Sequence, residues 1–216
     1  MTSDSNHRLL VVARALACLA GFIALLAIVG YVTGTPSLVR LVPGFQAMSP
    51  LTSLMIIFLT IAGLASSWRR ERLMVAVAAS VCLLALLLLG LHAALGADTL
   101  SPKVAGILFG VGPEHVGRTS TATALSAVLI GVSLLFRRRA PFASDISGGI
   151  ALLISGTALL GYLYGVTELY ALPVFNSMAL NTACALFLLA GTSLTTEPEL
   201  GWSSVCLLYT SPSPRD

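Results

Sequence analysis

The feature that most constrains this chain is a series of six apolar blocks, each long enough to cross the hydrocarbon core of a bilayer. They are Ala15–Val32, Met48–Ser66, Leu73–Leu95, Ser120–Phe136, Ser147–Tyr164 and Ser177–Thr195. A spanning helix needs about 17–25 mostly apolar residues. The central parts of the blocks contain no ionisable residue, and only 10% of the 216 residues are charged. A soluble domain carries about a quarter, so this chain lacks the polar surface to solvate a globular fold. Backbone groups in lipid must be satisfied within their own segment, which selects helices. The expected fold class is all-α, an integral membrane bundle of six transmembrane helices.

Several block starts carry helix-initiating chemistry. Ser49 followed by Pro50 reads as an N-cap with proline at the first helical position. Thr119, Ser120 and Thr121 can cap the fourth span, and Asn176 or Ser177 the sixth. Basic residues set the orientation. Arg8 and Arg14 precede the first span, Arg69, Arg70 and Arg72 separate the second and third, and Arg137, Arg138 and Arg139 separate the fourth and fifth. The opposite side holds only Arg40, Lys103 and Arg118. This asymmetry places both termini in the cytoplasm, with Arg14 able to snorkel to the inner surface. The first span is too long for the apolar region of a cleaved signal peptide and has no A-x-A site after it. The net charge of +3 is small and clustered, which argues against nucleic acid as a partner.

An internal repeat divides the spans into pairs. Residues 48–54 read MSPLTSL, residues 119–125 TSTATAL and residues 178–184 MALNTAC, each opening an even-numbered span with threonine at one offset: Thr52, Thr123 and Thr182. The first span ends in Gly30-Tyr31-Val32-Thr33-Gly34 and the fifth in Gly161-Tyr162-Leu163-Tyr164-Gly165. Such self-similarity marks a repeated unit, here a helical hairpin of span, outward loop and returning span. Three hairpins make the bundle. The threonine hydroxyls can bond a backbone carbonyl or a neighbouring helix. The pairs Gly30/Gly34 and Gly161/Gly165 admit two readings. Small-xxx-small spacing permits close helix approach; alternatively, the glycines stop their helices while the tyrosines anchor at the interface. The second is preferred.

The stretch from Gly161 to Trp202 resembles the final hairpin of the multi-pass N-terminal regions of bacterial sensor histidine kinases, some of them hybrid. The residues that carry this are Gly161–Gly165, Leu169-Tyr170, Met178–Ala183 and Pro198/Gly201, and Met48-Ser49-Pro50-Leu51-Thr52 is similar to the Met-Ser-Pro-x-Thr element of the same regions. Thr119-Ser120-Thr121 departs from that pattern. The resemblance covers most of residues 25–202 and implies a sensory or anchoring module, a homodimer, and a cytoplasmic output domain in cis, either a kinase or a diguanylate cyclase. No phosphoacceptor motif, nucleotide loop or GGDEF-like run is present. Residues 206–216, CLLYTSPSPRD, match residue for residue a translation of a transposon-based sequencing adapter. They are read as adapter-derived, with the natural frame continuing past Val205. Residues 1–14 are then a cytoplasmic N-terminus, 15–196 the membrane domain and 197–205 the start of a connector.

The sequence supplies no catalytic group and no cofactor site. A retinal Schiff base needs a lysine within a span, and Lys103 lies in a loop. Haem between helices usually needs paired histidines, yet His7, His92 and His115 are scattered. Cys18, Cys82 and Cys184 stand alone in apolar segments and read as packing residues. His92 reads as a polar interfacial side chain, with ligand binding or pH sensing as its alternative. Glu168, Tyr170 and Asn176, in the last outward loop, are the signal-sensing candidates, with the loop from Gly96 to Arg118 as a second location. A small transporter or structural membrane protein is the alternative class; the prolines all sit in loops or at span ends, so the spans read as unbroken, which weighs against transport.

Overall fold

A computed structural model describes residues 3–40, 45–95, 100–110, 117–165 and 178–197, and among them every regular element is a helix. In chain order these are α1 (Ser3–Thr33), α2 (Pro36–Val39), α3 (Pro50–Ser67), α4 (Glu71–Leu95), α5 (Leu100–Phe109), α6 (Thr121–Phe136), α7 (Pro141–Tyr164) and α8 (Leu180–Thr195). Each apolar block of the sequence has its helix. Four of them, at His7–Thr33, Pro50–Ser67, Glu71–Leu95 and Pro141–Tyr164, are long and apolar enough to cross a membrane. The other two, α6 and α8, have 16 residues each and extend about 24 Å at the α-helical rise. That is less than the blocks Ser120–Phe136 and Ser177–Thr195 suggest.

The helix ends explain part of the shortfall. Ser120 is in the extended conformation before α6, and its side chain accepts a bond from the backbone N–H of Thr123, so α6 starts just after it. The helix α8 starts after Ala179, whose side chain offers no cap. Asn176 and Ser177, expected to cap it, precede that position and lie outside the described residues. Ser49 is the residue before α3 and Pro50 opens it as expected, but the serine side chain caps nothing locally. The loop 96–118 contains the helix α5 that hydropathy alone left as loop.

Packing divides the six main helices into an inner and an outer set. The helices α3, α6 and α8 all touch one another, while α1 packs on α3 and α8, α4 on α3 and α6, and α7 on α6 and α8. Two outer helices, α1 and α7, contact their inner neighbours through small residues at heptad-like spacing, whereas α4 also buries Met74, Val81 and Leu88. On α1 the stripe is Ala13, Ala17, Ala20, Ala24 and Ala27, all fully buried. On α7 it is Ser144, Gly148, Ala151, Ser155 and Ala158. Small side chains let backbones approach closely, the means by which helices associate without a hydrophobic driving force. A Cβ on Gly131 of α6 would meet Cys82 Sγ of α4 at 2.4 Å, and one on Gly148 would meet hydroxyls of Ser133 and Ser193 at 3.0 Å. Large apolar side chains of the outer helices are exposed, among them Phe22, Leu25, Leu83, Leu87, Leu153 and Leu163, while Met55, Ile56, Leu59, Ile130, Leu186 and Leu189 of the inner helices are buried. On the outer face of a water-soluble bundle such positions are polar.

Candidate functional site

Polar chemistry gathers at the two ends of the bundle. At one end, where α3 passes to α4 and α6 to α7, stand the arginine-rich links. Arg137 follows α6 directly and is buried, not exposed in a turn as its cluster suggests. Its guanidinium pairs with Asp145, one turn into α7, and both side chains are at most 5% exposed. A second nitrogen donates to the carbonyls of Leu194 at 3.2 Å and Glu197 at 3.0 Å, at the end of α8. The placement is favourable in field terms: a cation lies at the carbonyl ends of α6 and α8, and a carboxylate near the amide end of α7. Arg138 pairs with Glu71 at the start of α4 and, through Nε at 2.9 Å, with Glu197. Arg14 does not simply snorkel; it donates to the hydroxyl and the carbonyl of Ser67, each at 3.2 Å, tying α1 to the end of α3.

Between these groups lies a cavity of about 300 Å³. Arg69, Arg138, Arg139, Glu71 and Glu197 line it together with the apolar Met74, Val75, Leu135 and Phe136. Arg69 ends α3 in the left-handed region, with φ at 57°, among the described residues the one non-glycine at positive φ. The bonds Arg70 N–H to Ala65 O at 2.8 Å and Arg69 N–H to Ser66 O at 3.0 Å form the usual helix-terminating pair. Glycine is favoured at such a position, and an L-residue there costs about 1 kcal/mol. Gly34 and Gly165, which occupy the same conformation elsewhere at φ 64°, have no neighbour a Cβ would touch.

At the opposite end the repeat elements acquire distinct jobs. Gly34 and Gly165 stop α1 and α7, as the preferred reading expects. Gly30 serves close approach, since a Cβ there would fall 2.7 Å from the Val39 side chain. Two of the three tyrosines in these elements bond backbone carbonyls, while Tyr164 is exposed. Tyr31 is buried and donates to the carbonyl of Met48 at 2.7 Å, while accepting from the N–H of Gly117 at 3.3 Å. Tyr162 donates to the carbonyl of Met178. In both places a buried or half-buried phenol finds a backbone acceptor, which burial demands, and links the end of one span to the start of the next.

The three threonines are buried alike but act differently. Thr52 bonds the hydroxyl of Thr119 at 3.1 Å, and Thr119 also donates to Ser49 at 3.3 Å. The departure of Thr119-Ser120-Thr121 from Met-Ser-Pro therefore supplies a hydroxyl that joins α6 to α3. Thr123 bonds Ser120 locally at 2.9 Å. Thr182 is buried near the start of α8, and its neighbour Asn181 donates to the carbonyl of Val39 at 3.3 Å.

No family model, curated protein or solved structure matches this chain. The site therefore has to be read from its own chemistry.

Of the residues singled out for sensing, Glu168, Tyr170 and Asn176 lie outside the described residues. His92 is partly buried near the end of α4, beside Thr119, Ser120 and Thr121 around a small cavity. Among the described residues no three metal-ligating side chains come together. Cys18, Cys82 and Cys184 are free thiols. Sequence reasoning passed over Asp145, Glu71 and Glu197. Asp145 stood just before the fifth apolar block, and its spacing of eight residues from Arg137 across a short link was the available signal.

Proposed function

We propose that this chain is the membrane-embedded sensory or anchoring module of a bacterial signal-transduction protein, with a sensor histidine kinase as its first form and a diguanylate cyclase as its second. In this reading all six main helices cross the inner membrane as three repeated hairpins, both termini are cytoplasmic, and the module works as a homodimer. The exposed large apolar side chains along the outer helices support immersion in lipid. The 16-residue helices α6 and α8 belong to the inner set, and non-helical backbone at membrane depth is tolerated where protein covers it. The paired bonds Tyr31–Met48 and Tyr162–Met178 support the hairpin repeat.

The observation that carries the signalling part is the grip of Arg137 and Arg138 on the segment leaving α8. Through Leu194, Glu197, Asp145 and Glu71 the two arginines connect α4, α6 and α7 to the point where the last span exits. A displacement of α4, α6 or α7 is thereby passed to whatever follows residue 197. The same buried pair is also the observation that favours transport, because intramembrane ionisable groups mark ion pathways. Its position at one end favours coupling, as does the lack of any other Asp, Glu, Lys or Arg along the described central parts of the spans. Determining the genomic reading frame beyond Val205 tests the proposal. A kinase or cyclase domain is the expected result, and a stop codon within a few codons would overturn it.

A further inference from the structure

The cavity at the arginine end has a composition that the coupling role does not use. Arg138 is held by Glu71 and Glu197, and Arg137 by Asp145. Arg69 and Arg139 also border the cavity, are exposed, and have no carboxylate within ion-pair distance among the described residues. Arg69 moreover occupies a left-handed position where glycine is the favoured residue. A strained backbone that persists points to a use for the side chain it carries. Two guanidinium groups facing one recess call for an anion, and phosphate oxygens match their donor geometry.

The other wall decides what the anion is attached to. Val75 and Phe136 border the cavity and are also exposed on the apolar flank of the bundle, at 46% and 45%. The recess therefore runs from guanidinium groups on to the lipid-facing side of α4 and α6. A nucleotide or free phosphate would leave that wall in contact with water or polar atoms. A phosphodiester carrying acyl chains satisfies both ends. A volume of about 300 Å³ lies at the small end of ligand sites and suits a headgroup whose chains lie outside.

We infer that this cavity is a binding site for the phosphate headgroup of an anionic phospholipid, held by Arg69 and Arg139, with its chains along Val75 and Phe136. The inference rests on the reading that the bundle sits in a bilayer. Basic recesses between spanning helices on the cytoplasmic side are suited to such headgroups. Because Arg138 and Glu197 border the same space, occupancy would bear directly on the segment leaving α8.

Trp68, exposed beside Arg69, is a built-in reporter. With Trp202 replaced by Phe, the full chain is reconstituted into phosphatidylcholine vesicles containing either phosphatidylglycerol or phosphatidylcholine brominated near the headgroup. The expected result is preferential quenching of Trp68 by the brominated phosphatidylglycerol, by roughly fivefold for each guanidinium engaged. That preference should be lost in Arg69→Gly/Arg139→Gln and kept in Arg70→Gln, whose arginine does not border the cavity. Arg69→Gly relieves the left-handed strain, so its thermal unfolding should occur at or above the temperature of the parent, which separates loss of binding from loss of fold. Equal quenching by the two lipids would overturn the proposal, as would equal loss in Arg70→Gln or displacement by inorganic phosphate. Failure to float with vesicles of either composition would instead overturn the membrane reading itself.

Discussion

Replacing Asp145 by Asn removes one charge from the buried pair while keeping the shape of the side chain. The partner left behind, Arg137, is 2% exposed, so water cannot take the place of the lost carboxylate. Removing one member of a buried ion pair destabilises by about 3–5 kcal/mol, because the remaining charge stays desolvated. Here the carbonyls of Leu194 and Glu197 still accept from the guanidinium, and the carbonyl ends of α6 and α8 still favour a cation. The lower end, about 3 kcal/mol, is therefore expected, equivalent to roughly a 150-fold rise in the unfolding constant. Unfolding in mixed micelles, followed by helical circular dichroism against rising denaturing detergent, measures it. The double variant Arg137→Met/Asp145→Leu should recover most of the loss, since apolar residues of similar volume replace such pairs at little cost. A change below about 0.5 kcal/mol for Asp145→Asn, a typical surface value, would refute the claim that this pair is structurally buried.

Other perturbations test the packing. Gly131→Ala should destabilise by about 1–3 kcal/mol through its clash with Cys82 Sγ, and Cys82→Gly in the same chain should restore stability in the same unfolding assay. Tyr31→Phe should lose about 1 kcal/mol, and more if Met48 O and Gly117 N–H are left unsatisfied; Tyr164→Phe, on an exposed side chain, serves as the neutral control. Thr119→Val removes its bonds to both Thr52 and Ser49 and should weaken the α3–α6 contact by roughly 1.2 kcal/mol, twice the mean for a hydroxyl bond between membrane helices, and Thr52→Val in addition should cost little more, because the bond it shares with Thr119 is already gone.

Much of the helical layout was legible because the apolar segments are long and largely uncharged. The starts of α3 and α6 followed from Ser49-Pro50 and Ser120. The stops at Gly34 and Gly165 followed from the conformational freedom of glycine. The backbone bonds of Tyr31 and Tyr162 were not legible, because an interfacial anchor and a buried donor share one sequence signature; only the position of Met48 or Met178 against the ring shows the bond. The arginine end was half legible. Its charge was plain, but the burial of Arg137 depends on Asp145, Leu194 and Glu197 from elements up to 60 residues away, a distance over which local pattern carries no information. The helix α5 escaped notice because its 10 residues are too few to register as a span, and its burial comes from Ala105 and from Phe109 stacking on Tyr31 at 6.0 Å.

The central claim is that the arginine links and the tyrosine-linked turns lie on opposite faces of one bilayer. Cysteine scanning measures this directly. The four cysteines of the chain are replaced, single cysteines are placed at Thr35, Arg70, Gly110 and Arg139, and each variant is treated with a membrane-impermeant maleimide in right-side-out and inverted vesicles. The account predicts that positions 35 and 110 react only from outside and positions 70 and 139 only from inside. Labelling of all four from one face, or a chain that remains in the soluble fraction, would contradict it.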